Sequence, residues 1–248
     1  MDLGIAGRRA AVSGASSGLG LATARALAAE GVRVAVGARS ADRLADAAAS
    51  IEGDVVAVPG DVGTPEGATT WAEAAADTLG GVDILVPNAG GPPPGGVADT
   101  PLGAYHPALD LNLMSVVALC TALVPAMRAA GWGRVVAITS VAVRQPIPHL
   151  VLSNTARAGA TAYLKTLALE VASDGVTVNS VQPGSHETDR LRRLHGGDLS
   201  SAAADVPVGV LGRPQDFGAV TTFLCSDHAR FVTGAAIPVD GGAVRALL

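Results

Sequence analysis

Aromatic residues are scarce in this chain, at 3% of 248 residues. A core of that size must therefore be aliphatic. Charge is thin as well: Asp, Glu, Lys and Arg make up 16%, and the net charge is −5. No basic patch stands out, so nucleic acid is not an expected partner. No apolar run reaches the length of a membrane span, so no membrane segment is expected. Cysteine is limited to Cys120 and Cys225, both in apolar helical surroundings. They read as reduced core residues, and no metal site is expected. The start, Met1-Asp2-Leu3-Gly4, lacks the basic and apolar regions of a signal peptide. The expected setting is cytoplasmic.

Hydrophobic residues make up 49% of the chain, enough for one domain with a large core. Apolar runs alternate with alanine-rich amphipathic stretches from end to end. Strands are predicted near 8–12, 32–36, 54–58, 83–86, 134–138, 176–181 and 236–239. Helices are predicted near 18–30, 41–51, 65–79, 101–130, 152–173 and 214–226. Unbroken apolar strands alternating with helices indicate an α/β doubly wound parallel sheet with helices on both faces. No linker or internal repeat divides residues 1–248.

The most informative segment is Ser13-Gly14-Ala15-Ser16-Ser17-Gly18-Leu19-Gly20. It follows an apolar run and opens an alanine-rich helix. A strand, a glycine-rich turn and a helix, in that order, cradle phosphates: glycines permit close approach, and the helix N-terminus offers free N–H groups. The spacing is not G-x-G-x-x-G, and a glycine-rich turn alone is a weak signal. The next strand adds weight. In dinucleotide folds an acid about 20 residues on binds the ribose 2′-hydroxyl of NAD. Here that position is Ala38, followed by Arg39, a cation suited to a 2′-phosphate. The expected preference is NADP(H) over NAD(H), although Arg39 could also be a solvated strand-end charge.

Two stretches break the rhythm just past strand ends, where open α/β sheets bind ligands. The run Gly90-Gly91-Pro92-Pro93-Pro94-Gly95-Gly96 reads as a stiff, extended wall. Residues 184–212 are polar and irregular and read as a substrate lid.

Further short motifs fall in order along the chain: Asp61-Val62, Asn88-Ala89-Gly90, Asn112, Ser140 after Ile138-Thr139, Pro183-Gly184, Thr188 and Asp240-Gly241-Gly242. Together with residues 13–20, this set resembles the short-chain dehydrogenase/reductase family over essentially the whole chain. The resemblance implies a Rossmann-type sheet of seven parallel strands, a dinucleotide across its C-terminal edge, and a homotetramer or homodimer built partly on two long helices. It also implies roles. Ser13, Gly14, Ser16, Ser17, Gly18, Leu19 and Gly20 would form the pyrophosphate turn. Asp61 would accept a hydrogen bond from the adenine, with Val62 against the ring. Asn88 and Ala89 would steady the central strands, and Gly90 would admit the ribose. Pro183, Gly184 and Thr188 would hold the nicotinamide.

One departure matters. The family places a tyrosine, then a lysine four residues later, after the serine that ends the fifth strand. Those positions here are Ser153 and Arg157, in the segment Ser153-Asn154-Thr155-Ala156-Arg157. Tyr163 and Lys165 are displaced and do not restore the pattern. A phenol near a cation can be pulled toward neutrality, whereas an aliphatic hydroxyl is a far weaker acid. Arg157 can grip a ribose but keeps its charge. Candidate catalytic residues are therefore Asn112, Ser140, Ser153 and Arg157, with His149 or His186 as a substitute acid and Arg144 as an oxyanion partner. Tyr105 and His106 are less well placed. The expected activity is interconversion of a small carbonyl compound and its alcohol with NADP(H). The alternatives are a non-redox enzyme on the same scaffold and a dinucleotide-binding protein without catalysis.

Overall fold

The central strands of this chain bury side chains on both faces, which explains their apolar runs. The protein is described by a computed structural model covering residues 1–247. Its strands are β1 (Arg9–Val12), β2 (Arg33–Ala38), β3 (Val55–Pro59), β4 (Ile84–Val86), β5 (Gly133–Ile138), β6 (Val176–Pro183) and β7 (Ala236–Val239). They form one sheet in the order β3-β2-β1-β4-β5-β6-β7, all parallel. The order reverses direction between β1 and β4, which opens a crevice at their C-terminal ends.

The main helices are α1 (Gly18–Ala29), α2 (Ala41–Ala49), α3 (Pro65–Leu79), α5 (Ser115–Ala129), α6 (Val151–Val171) and α9 (Pro214–Leu224). Short helices α4 (Tyr105–Leu109), α7 (Asp189–Leu194) and α8 (Ser200–Ala204) lie between them. Strand side chains alternate between two aliphatic cores. Ala11, Ala35, Leu85 and Val135 face α3, α5 and α6. Their neighbours Val12, Val36, Val86 and Val136 face α1 and α9. Local chemistry sets the helix ends. Thr64 caps α3 by accepting from the Gly67 amide at 3.1 Å, Pro65 follows it, and Gly80 ends the helix in the left-handed region.

Three expectations need correcting. The predicted helix over 101–130 is not one helix: α4 gives way to a π-turn at Asp110–Met114 before α5 begins. In addition, the stretch Leu102–Ala129 is long and apolar enough to cross a membrane by composition. Its apolar residues Val116, Leu119, Cys120, Leu123, Val124 and Met127 instead fill the core beneath the sheet. The lid, expected to be irregular, contains α7 and α8.

The edge of the sheet away from the crevice is pinned by Arg9 and Asp83. The carboxylate accepts from the Arg9 backbone N–H and Nε at 2.9 Å and from Nη2 at 2.7 Å. Burial alone would raise the Asp83 carboxyl, but the hydrogen bonds and charge of Arg9 outweigh it and hold the group below its ordinary range. A depressed carboxyl stabilises the fold above its unfolded pKa, and that stabilisation is lost as pH falls through the folded value. Asp83→Asn should cost ~1–2 kcal/mol at pH 7, the lower part of the range for a charged hydrogen bond because Arg9 is partly exposed. The gap to wild type should narrow as pH falls below ~4. Thermal melts at pH 7, 4 and 3 check this, and a gap that stays the same from pH 7 down to pH 3 would refute it.

Candidate active site

The turn between β1 and α1 is held by the protein's own contacts. Ser13 Oγ donates to the Asn88 carbonyl at 2.8 Å and accepts from the Asn88 amide at 2.9 Å. Asn88 Nδ2 donates to the Gly14 carbonyl at 2.9 Å. These bonds join the ends of β1 and β4 at the crevice. A Cβ on Gly14 would lie 2.7 Å from Asn88 Nδ2, and one on Gly20 would lie 2.5 Å from the Gly14 carbonyl oxygen. Gly14 and Gly20 are therefore glycine because of packing within the chain. Gly18 shares the left-handed φ of Gly14, +61° against +60°, but a Cβ there would meet only the Thr188 side chain, at 3.6 Å. Gly90 has no atom within 4 Å of a built Cβ and is exposed.

Several groups along this track lack a partner. Ser17 begins α1 in extended geometry, but its side chain makes no capping bond, so the first-turn amides are not closed off by it. Arg39 at the end of β2 is exposed and joins no ion pair among the described residues. Asn112 Oδ1 is buried with no hydrogen-bond partner. A cleft of about 430 Å³ borders the track between α1 and the start of the lid, with Gly18, Arg25 and Thr188 in its wall. An anionic dinucleotide fits this pattern of open glycines, uncapped amides and a free cation.

The π-turn gives Asn112 its place. Such turns are rare and recur at functional sites. Here the turn lets Asn112 Nδ2 donate to the Gly90 carbonyl at 2.8 Å, linking α5 to the loop after β4. Ser140 ends β5 in extended geometry and accepts from the Ala142 amide at 3.1 Å. Ser153 lies in the first turn of α6, almost fully buried. Arg157 is one turn further on the same face. Its Nη1 donates to the Ile138 carbonyl at 3.0 Å, and its Nη2 donates to the Ala89 and Gly90 carbonyls at 3.4 and 3.5 Å. Burial, with a smaller push from the charge of Arg190, lowers the Arg157 guanidinium to about 10. It stays cationic at neutral pH. Arg157 and Asn112 thus converge on the loop after β4, Arg157 reaching the carbonyls of Ile138, Ala89 and Gly90 and Asn112 that of Gly90.

A family model described as Enoyl-(Acyl carrier protein) reductase matches residues 14–244. Dehydrogenase/reductase SDR family member 4 of Bos taurus is 33% identical over 95% of this chain and 86% of its own length. The 3-oxoacyl-(acyl-carrier-protein) reductase of Vibrio cholerae is 34% identical over 97% of this chain and 98% of its own. The structure of L-sorbose reductase from Gluconobacter frateurii, complexed with NADPH and L-sorbose, superimposes with a TM-score of 0.92. It is 35% identical, with 100% of both chains covered. The chain belongs to the short-chain dehydrogenase/reductase family.

Within this family pattern, other expected site residues occupy quieter positions. Asp61 makes a local turn, accepting from the Gly63 amide at 2.9 Å, while Val62 packs against the core. Gly184 bonds the Val239 carbonyl through its amide at 3.0 Å, directly after Pro183 at the end of β6. Thr188 caps α7 by accepting from the Leu191 amide at 3.3 Å, and its methyl faces Gly18.

The substitute acids make contacts of their own. His186 is buried, with its ring edge-on to Phe217 at 5.1 Å and Nδ1 3.2 Å from the Gly184 carbonyl. Burial lowers its pKa, so it is neutral near pH 7 and packs as a core residue. His149 is exposed at φ +61°, with its ring beside Gly96 and its carbonyl accepting from the Gly95 amide at 2.7 Å. Arg144 is also spent elsewhere: its Nε donates to Gln182 Oε1 at 2.8 Å, and its Nη2 donates to the Ala236 carbonyl. Lys165 donates to the Gly234 carbonyl at 3.0 Å, and burial pushes Tyr163 up to about 12.

One residue escaped the sequence reading. Arg190, two positions past Thr188 on α7, lays its guanidinium against Gly91. No motif marks it, because contact between α7 and the proline loop depends on the folded lid.

Proposed function

We propose that this chain is an NADP(H)-dependent oxidoreductase that interconverts a carbonyl and an alcohol. The carrying observation is a crevice at the C-terminal strand ends with an open Gly18 turn, an exposed Arg39 after β2, an exposed Gly90 after β4, and Arg157 on the carbonyls of Ile138, Ala89 and Gly90. Bound NADPH would supply the hydride. Arg39 would pair with its 2′-phosphate, the first-turn amides of α1 would face the pyrophosphate, and Gly90 would leave room for the ribose. The NADPH-bound sorbose reductase supports the same cofactor class.

Ser140 Oγ would donate a hydrogen bond to the substrate carbonyl oxygen. Arg157 would keep a positive charge next to that oxygen and steady the ribose side of the site. With His186 packed on Phe217 and no hydrogen bond among the described residues joining His149 to Ser153, water would be the proton source, relayed by Ser153. A second reading, dinucleotide binding without turnover, is favoured by that missing titratable acid. Exposed Leu169 on α6 and Phe231 before β7 support a subunit contact, as a homotetramer or homodimer would need.

NADPH consumption with a panel of small ketones and aldehydes tests the activity. Tight NADPH binding without oxidation by any of them would favour the second reading. Arg39→Ala should weaken NADPH binding by ~10-fold, the equivalent of 1.4 kcal/mol, and barely affect NADH. Calorimetry with both cofactors reads this. A variant that keeps its NADPH preference would remove Arg39 from the 2′-phosphate site.

A further inference from the structure

Most arginines around the crevice are engaged by the protein itself. Arg144 holds Gln182 and Ala236, Arg157 holds three carbonyls, Arg192 pairs with Glu187, and Arg213 pairs with Asp216. Arg190 is different. It is only partly exposed, and among the described residues no carboxylate pairs with it and no acceptor bonds it. Its five donors remain available.

The position of Arg190 is specific. A Cβ on Gly91 would fall 2.1 Å from its Cζ, so only glycine lets the guanidinium lie on the chain there. Arg157 reaches the carbonyls of Ala89 and Gly90, the two preceding residues. Two cations thus flank a three-residue loop at the mouth of the site, in a chain whose net charge is −5. Both are desolvated, and like charges in such a setting repel until an anion joins them.

That anion has two chemical sources, a cofactor phosphate or a substrate carboxylate. The phosphate cradle lies at Gly18, which faces the Thr188 methyl. Arg190 lies beyond Gly90, on the side of the proline loop, whose end is tied to α6 by the Val151 amide bonding the Gly95 carbonyl at 3.2 Å. The substrate side is therefore favoured. Resting on the oxidoreductase reading above, we propose that the substrate is an oxo acid or its hydroxy acid. Arg190 is the specificity-determining residue that receives the carboxylate as a bidentate partner while the carbonyl faces Ser140 and Ser153. The planar guanidinium fork matches a carboxylate in a way a lysine would not.

The test uses the full chain with pyruvate, acetoacetate and laevulinate, each compared with its methyl ester. NADPH oxidation should show at least one acid with kcat/KM ~10-fold or more above its ester, the size expected for a charge-assisted hydrogen bond. Arg190→Met should erase that preference, and Arg190→Lys should restore part of it. Calorimetric titration of the acids into the NADP⁺ complex, which cannot turn over, reads binding alone. Binding of an acid that is lost in Arg190→Met supports the proposal even if no carbonyl is reduced, in which case only the oxidoreductase reading fails. Reduction of simple ketones with acids no better than esters overturns the proposal and leaves that reading intact. A weakened NADP⁺ affinity in Arg190→Met, in step with the loss for the acids, also overturns it, because Arg190 would then bind a cofactor phosphate.

Discussion

Gly90→Ala should fold like the wild type and bind NADPH ~10–100-fold more weakly, a loss of 1.4–2.8 kcal/mol. Gly20→Ala should lose fold stability as well as binding. The two glycines look alike in sequence but not in space. A methyl on Gly90 meets nothing within 4 Å, so only a ligand can feel it. A methyl on Gly20 would lie 2.5 Å from the Gly14 carbonyl oxygen and 2.7 Å from Asn88 Nδ2. Those atoms hold the ends of β1 and β4 together, so they cannot yield without breaking the Asn88 bridge. Overpacking of this kind typically costs ~1–3 kcal/mol. Thermal melts and NADPH calorimetry on both variants separate the effects. Normal NADPH affinity in Gly90→Ala would show that the ribose does not pass over this residue.

The same contrast shows what the sequence could disclose. The central strands were legible because most of their residues are apolar and buried, so that Val12, Val34, Val36, Val136 and Val178 leave a signal even without alternation. Their number and parallel arrangement followed from the family resemblance, and their order in the sheet came from the structure. The cradle was legible as a motif, but the separate reasons for Gly14, Gly18 and Gly20 were not, because they depend on Asn88 and Thr188 arriving from distant strands. The break at Asp110–Met114 was hidden within a continuous apolar periodicity. Arg144 sat near Ser140 in sequence and looked available. Its engagement by Gln182 and Ala236 is a tertiary event that proximity along the chain cannot reveal. His186 followed Pro183-Gly184 and looked catalytic, yet Phe217 on α9 turns it into a packing residue. Arg190 was missed for the converse reason: a charged helix surface on the lid becomes a wall of the site only after folding.

The proton leads to the second large effect. If the chain reduces a carbonyl as proposed, hydride arrival would leave an oxyanion beside Ser140, and that oxyanion would have to be protonated. Ser153 Oγ is too weak an acid to originate a proton at neutral pH, and the Arg157 guanidinium, though lowered to about 10, keeps its charge. On the proposed reading the site would provide charge stabilisation without a tuned acid. Ser153→Tyr combined with Arg157→Lys should introduce one, because the ammonium lies four residues along α6 from the phenol and favours its ionised form. Turnover of simple ketones should rise by ~10²–10⁴-fold, the usual worth of a general acid. The pH–rate profile should gain a break from the phenol that the wild type lacks. Arg157→Lys also gives up the carbonyls of Ile138, Ala89 and Gly90, so a melt must first show that the double variant is folded. A folded double variant that binds NADPH yet gains no rate would mean that proton delivery does not limit this site. In that case the wild-type arrangement of Ser140, Ser153 and water already matches the hydride step, and the family tyrosine is dispensable on this scaffold.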